Sequence, residues 1–379
     1  MLRKGQQRGQ KPTEVLSARL KKAREQLKLK KLDGLLVSSA ANRLYLTGWY
    51  SEAEAGPVLI TQNKAFIITD SRYGEHAAKE TVGFEIVETR EGVGPTLRNL
   101  ARSEDLNTIG FESHYLSVFS FKRIKRFLRG AKLLPTARLI EGLRAVKDEI
   151  ELERIRKAVE VADKTFDRIL NFVKPGLTER EIAWEMEKFM KEAGVERLAW
   201  EPFIVAAGAN SSMAHWGASG TKIKEKDMIL VDFGCVYQSY CSDLSRVIFV
   251  GKPSAEQVKI YKLVLEAQKF GIGLVKEGRI GSTVDKKTRL FLEKRLSVRQ
   301  AKNIYRHALG HGVGLEVHEL PPLSIRHKHK LAAGNVVTVE PGIYIPGWGG
   351  VRIEDMVLVT ENGGKVLTKA SKKIEEVTV

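Results

Sequence analysis

Four acidic residues stand inside stretches otherwise built for buried strands, and they restrict what this 379-residue chain can fold into. Asp232 and Asp243 lie in "MILVDFGCVYQSYCSDLSRVIFV", and Glu340 and Glu354 in "VVTVEPGIYIPGWGGVRIEDMVLVT". Runs this rich in Val, Ile and Leu read as strands packed on a core. An ionised carboxylate there costs several kcal/mol unless hydrogen bonds or cations compensate it. Each pair also flanks a turn. The midpoint of Asp232 and Asp243 falls at Tyr237–Gln238, and that of Glu340 and Glu354 at Gly347, beside Pro346, Gly349 and Gly350. Hairpins centred there set the acids of each pair opposite one another on neighbouring strands. One such acid is ordinary. Two symmetric pairs ask for a shared positive charge.

The segment "YRHALGHGVGLEVHELPP" holds three of the eight histidines, His307, His311 and His318. Imidazoles gather this way for metal binding or acid–base work. Four carboxylates match the charge of two divalent ions. A dinuclear centre of Asp232, Asp243, Glu340 and Glu354, with His311 as its single nitrogen ligand, satisfies that balance. Oxygen-rich ligation suits Mn²⁺ foremost, with Co²⁺, Fe²⁺ or Zn²⁺ as other candidates. Two such ions about 3.5–4 Å apart polarise a carbonyl and activate water near neutral pH, which is hydrolytic machinery. His318, seven residues beyond His311, then becomes a candidate donor to a tetrahedral intermediate. So does His215, in the small-residue loop "VAAGANSSMAHWG" that follows a strand. His307 is a third catalytic candidate, with a supporting role in packing or substrate orientation as its alternative.

Composition is that of a globular protein, 43% hydrophobic and 29% charged, and the length suits two domains. Cys235 and Cys241 lack zinc-site spacing and read as buried thiols. The opening "MLRKGQQRGQKPTEV" has no apolar stretch of the signal-peptide kind, and no run reaches the ~18 apolar residues of a membrane span. A soluble, cytoplasmic protein is expected. The net charge of +17 is concentrated in residues 1–31, with eleven basic residues, Arg3, Lys4, Arg8 and Lys11 among them, against Glu14 and Glu25. A second basic run is "FKRIKRFLRGAK" at 121–132. Neither carries interleaved aromatics or a nucleic-acid motif, so both read as solvated helix faces rather than nucleic-acid sites.

No sequence repeat stands out. Residues 15–141 alternate helix and strand, as in "LSARLKKAREQLKLKKL" followed by "DGLLVS", and predict an α/β domain. Residues 142–379 place helices ahead of mixed strands, predicting an α+β domain. Within it Pro175-Gly176 ends one helix, and Thr178 with Glu181 three residues later caps the next.

The ordered motifs "VDFG", "SDLSR", "HALGHGVGLEVHE", "TVEPG" and "GVRIED" resemble the metallopeptidases that include aminopeptidase P, prolidase and methionine aminopeptidase, over about residues 140–370. The resemblance implies a pita-bread catalytic domain with Asp232, Asp243, His311, Glu340 and Glu354 as metal ligands. Asp243 and Glu354 would bridge the ions, His215 and His318 would meet substrate and transition state, and Glu340 would also shuttle a proton. "NRLYLTGW" and "FIITDSRY" resemble the creatinase-type N-terminal domain of aminopeptidase P, prolidase and creatinase. Relatives of that type cleave the bond before proline in peptides and are commonly homodimers whose N-terminal domain helps wall the active site. One position departs. Some prolidases place an arginine four residues after the histidine of the "HE" segment to hold the dipeptide carboxylate, and here Pro322 stands there.

The expectation is a Xaa-Pro aminopeptidase-like hydrolase, with Xaa-Pro dipeptidase (prolidase) as the alternative. Rival readings are a non-catalytic binding protein on the same fold, a metal-free creatinase-like C–N hydrolase and an RNA-associated protein. Retention of all five acidic and imidazole positions weighs against a pure binding role.

Overall fold

The computed structural model describes residues 12–51, 53–297 and 301–379, and the basic residues Arg3, Lys4, Arg8 and Lys11 lie outside the described residues. The chain divides into two compact units between Arg144 and Ala145.

The first unit is α/β. Its sheet comprises β1 (Gly34–Val37), β2 (Val58–Thr61), β3 (Ala65–Thr69), β4 (Glu85–Glu88), β5 (Thr108–Glu112) and β6 (Lys132–Thr136), in the order β4-β3-β2-β1-β5-β6. Strands joined by the short turn Gln62-Asn63 pair antiparallel, whereas β5 pairs in parallel with β1 and, across the helix that follows it, with β6. The opening helix Pro12–Leu29 buries Val15, Arg19, Ala23 and Leu27, one residue per turn, which is the stripe its sequence spacing predicts. The first part of the basic run at 121–132 lies in the helix Val118–Phe127, with Lys122, Arg123, Lys125 and Arg126 exposed, and the run ends at Lys132, which opens β6.

The second unit is α+β and is built from one element order used twice. The helices Glu149–Leu170 and Glu179–Glu192 precede the strand Ile204–Ala207 and the hairpin strands Met228–Phe233 and Leu244–Phe249. The helices Ala255–Leu274 and Gly281–Glu293 then precede Gly310–Gly312 and the strands Val336–Val339 and Asp355–Val359. No sequence similarity announces this repetition, because it lies in the order of elements rather than in residue identities. Capping boxes start the first two helices, Asp148 with Glu151 and Thr178 with Glu181, the second as its sequence predicts. One continuous core joins the helix faces to the strands. Cys235 and Cys241 are free and buried within the unit. Among the described residues no helix is long and apolar enough to cross a membrane.

Candidate functional site

The four carboxylates reach the site through two hairpins. In the second, Val339 pairs with Asp355 and Gly342 with Arg352, so Glu340 and Glu354 face each other in the short interval between two ladders. That is the expected register. The first hairpin differs: Asp232 pairs with Ser245, and Asp243 stands two positions away on the same strand face. The cause is the turn. Gln238 and Ser239 both have positive φ, 45° and 70°, and form a two-residue hairpin loop between the paired Tyr237 and Tyr240. The centre therefore falls one residue beyond the symmetric guess, and the register shifts by two. An even shift keeps both acids on one face, as diagonal neighbours.

All eight residues singled out from sequence line one cavity of about 380 Å³, together with Trp200, Ile204, Val317, Pro322 and Arg352. Ligand atoms of Asp243, His311 and Glu354 lie within 4.8 Å of one another. His311 Nε2 is 3.4 Å from Asp243 Oδ2 and 3.5 Å from Glu340 Oε1. Its Nδ1 lies 3.1 Å from the Gly312 carbonyl, which fixes the proton on Nδ1 and turns the Nε2 lone pair towards the acids. Burial, with His318 adding to it, drops the His311 pKa to about 3, so the ring is neutral.

The carboxylates are strained electrostatically. Burial, followed by the charges of Glu354, Asp232 and Glu340, raises Asp243 well above the usual range. Burial and the Glu354 charge raise Glu340 likewise, and burial with Asp232 pushes Glu354 up to about 8. Arg352 is the one guanidinium lining the cavity among the described residues. It donates to Asp232 Oδ2, to Ser245 Oγ at 2.9 Å, to the Tyr344 hydroxyl at 2.7 Å and to the Ala214 carbonyl at 3.3 Å. Ser245 in turn donates to Glu354 at 2.8 Å. Asp232 Oδ1 is buried with no hydrogen-bond partner among the described residues. Four acids against one guanidinium, an orphaned carboxylate oxygen and a lone pair aimed at oxygens are a donor set that fits divalent cations.

The remaining histidines divide into two kinds. His215 and His318 are exposed. His307 is enclosed: Nδ1 lies 2.7 Å from the Ala308 carbonyl and Nε2 2.9 Å from the Tyr344 hydroxyl. Burial, with Arg352 second, lowers its pKa to about 3. Tyr344 was not singled out from sequence. The signal was available, since 340, 342 and 344 share one strand face with Glu340 and point Tyr344 the same way. Trp200 and Ile204, on the cavity wall, carried no sequence signal beyond hydrophobicity.

Residues 153–361 match the family model for Metallopeptidase family M24, and residues 19–146 that for the Creatinase/Prolidase N-terminal domain. The chain belongs to metallopeptidase family M24. Its fold is the creatinase-type N-terminal domain followed by the M24 pita-bread domain, and it is a peptidase. A Xaa-Pro dipeptidase of Pyrococcus horikoshii is 34% identical, the match covering 95% of this chain and 99% of that one. A solved Xaa-Pro dipeptidase from Bacillus anthracis is 36% identical, with a TM-score of 0.91 over 96% of this chain and 100% of that one. An X-Pro aminopeptidase structure from Thermotoga maritima is 33% identical, with a TM-score of 0.86 over 95% and 99%.

Proposed function

We propose that this M24 peptidase hydrolyses the bond between an N-terminal residue and proline, with Asp232, Asp243, His311, Glu340 and Glu354 holding two divalent ions. The convergence of those five side chains on one buried, acid-rich cavity carries the reading. Ions bound there supply Lewis-acid polarisation of the substrate carbonyl and lower the pKa of water. The protein's own groups do the rest. His215 and His318, exposed at the cavity, donate N–H bonds to the carbonyl oxygen as negative charge develops on it. Glu340 Oε1 faces His311 and Thr338, and Oε2, 3.8 Å from His307 Nδ1 and 4.0 Å from Arg352 Nε, takes a proton from the attacking water and delivers it to the proline nitrogen, which cannot leave unprotonated. His307, with both ring nitrogens engaged, shapes the wall that orients substrate. Trp200, Ile204, Val317 and Pro322 offer apolar contact to a pyrrolidine ring.

On substrate length the reading is an aminopeptidase that lets the chain continue past proline. A dipeptidase holds a free carboxylate close to the scissile bond, and a fixed cation is the usual device. Pro322 lines the cavity where some prolidases carry arginine, and Arg352 spends its hydrogen bonds on Asp232, Ser245, Tyr344 and Ala214. The dipeptidase reading has its own support in the relatives and solved structures named Xaa-Pro dipeptidase. The deciding measurement is kcat/KM for a matched Xaa-Pro and Xaa-Pro-Yaa pair under saturating Mn²⁺. A higher value for the tripeptide is expected, and a strong preference for the dipeptide would overturn it. The reading also includes Mn²⁺ as the working metal, a homodimer and a cytoplasmic location. Metal analysis, light scattering and fractionation test these in turn.

A further inference from the structure

His215 is exposed, and its ring makes no hydrogen bond among the described residues, so its placement depends on the loop that carries it. That loop, residues 208–219, opens with the 3-10 turn Gly208–Ser212 and meets a strand only through the isolated bridge between Gly217 and Ile204. Its two ends are tied together by Glu179, the first residue of the helix Glu179–Glu192, which is fully buried at 0% exposure. Glu179 Oε1 accepts from the Ala207 backbone N–H at 2.8 Å and from Asn210 Nδ2 at 2.9 Å. Oε2 accepts from Trp216 Nε1 at 2.9 Å, from the Ser219 N–H at 3.0 Å and from Ser219 Oγ at 2.6 Å. The five donors come from both ends of the loop and from the residue next to His215. On the other side of His215, the Ala214 carbonyl accepts from Arg352. The histidine is thus pinned through its two neighbours, one to a guanidinium of the acidic cavity and one to a buried carboxylate.

We propose that Glu179 is a positioning residue that holds His215 in place over the acidic centre. The inference rests on the reading above that His215 donates to the developing oxyanion. An ionised carboxylate fits this setting, because four of the partners, Ala207 N, Asn210 Nδ2, Trp216 Nε1 and Ser219 N, are N–H donors and a carboxylate is acceptor-only on both oxygens. Burial alone would raise the pKa of this carboxyl, but its hydrogen bonds from Ala207, Asn210, Ser219 and Trp216 hold it below the ordinary value. Glu179→Gln keeps shape and volume but turns one oxygen into an amide that meets donors with donors.

The test is a double-mutant cycle on the full-length, metal-loaded enzyme, with 5-fluorotryptophan NMR of Trp216 assigned by Trp216→Phe. In Glu179→Gln, kcat should fall about 10-fold while KM and metal content stay within about twofold of wild type. In the His215→Ala background the same substitution should change kcat less than about twofold, since both act through one hydrogen bond. The Trp216 resonance should shift in Glu179→Gln and remain in place in His215→Ala. A purely structural role predicts losses that multiply in the double variant, and that result overturns the proposal. So does an unmoved Trp216 resonance. If His215→Ala alone turns over normally, the role of His215 fails, while a Trp216 shift in Glu179→Gln still upholds the loop clamp. Ser219→Ala, which removes one of the five donors, gives the same pattern at smaller amplitude should the Gln variant not fold.

Discussion

Glu354 and His215 illustrate two kinds of dependence on single side chains. Glu354 is 1% exposed, its carboxyl is raised to about 8 by burial and the Asp232 charge, and one of its oxygens already accepts from Ser245. A proposed ligand in that setting matters for occupancy before it matters for rate. Glu354→Ala is therefore expected to lose bound metal, measured by elemental analysis after gel filtration, together with activity. His215 is exposed and outside the carboxylate cluster, so His215→Ala should retain its metal and lose turnover by ~10²–10³-fold, the usual cost of one oxyanion donor. Full metal content in the first variant, or normal kcat in the second, would remove that residue from its role. Glu354 drew attention in the sequence because an acid in a Val/Ile run is chemically costly, and His215 because it sits on a small-residue loop directly after a strand. Tyr344 was readable from its strand face but passed over, whereas Arg352 as a four-bond hub and Glu179 were not legible, because their partners are remote: Arg352 meets Asp232 at a separation of 120 residues.

At the level of elements, hairpin geometry aims the acids. The strand Gly310–Gly312 lies so close to Val336–Val339 that a Cβ on Gly310 would sit 1.9 Å from the Thr338 carbonyl oxygen. The Thr338 hydroxyl in turn accepts from the His311 backbone N–H at 3.1 Å and faces Glu340. Gly310→Ala must push these strands apart. The expected result is a loss of about 1–3 kcal/mol in denaturant unfolding, as for other overpacked sites, with weaker metal retention. Unchanged stability would mean that the strands give way freely. The other hairpin makes the opposite prediction. Gln238 and Ser239 occupy positive φ that non-glycine residues adopt at a cost, and neither lines the cavity. Replacing the pair by Asn-Gly should stabilise the protein by about 1 kcal/mol while leaving kcat/KM unchanged. A fall in melting temperature would refute the turn assignment. This loop also shows why the first register was missed from sequence. Nothing in "YQSY" advertises a turn, whereas Pro346 and the glycines at 347, 349 and 350 mark the other one plainly.

For the whole molecule, the second unit is folded around four acids set against the Arg352 guanidinium, and its stability should respond to metal accordingly. Ligand that binds only the native state stabilises it by about 3 kcal/mol at 100 times Kd. Chelation is expected to lower the melting temperature of residues 145–379 and abolish hydrolysis, and added Mn²⁺ should restore both. A chelated sample with full activity would falsify the metal-dependent reading. The first unit, with its own sheet and core, is expected to melt independently of metal. Much of this was written in the chain: an α/β domain before an α+β domain, four acids and a histidine suited to divalent ions, and the register that sets Glu340 against Glu354. Those features follow from local rules of periodicity, turn chemistry and the cost of burying charge, which a sequence displays directly. Tertiary structure decided the two-position offset of Asp232 and Asp243, the engagement of Arg352 by four partners, the enclosure of His307 by Tyr344 and the clamp of Glu179 on the His215 loop. Each of these is a contact between segments far apart in the chain, and its geometry exists only once both segments are packed against the same core.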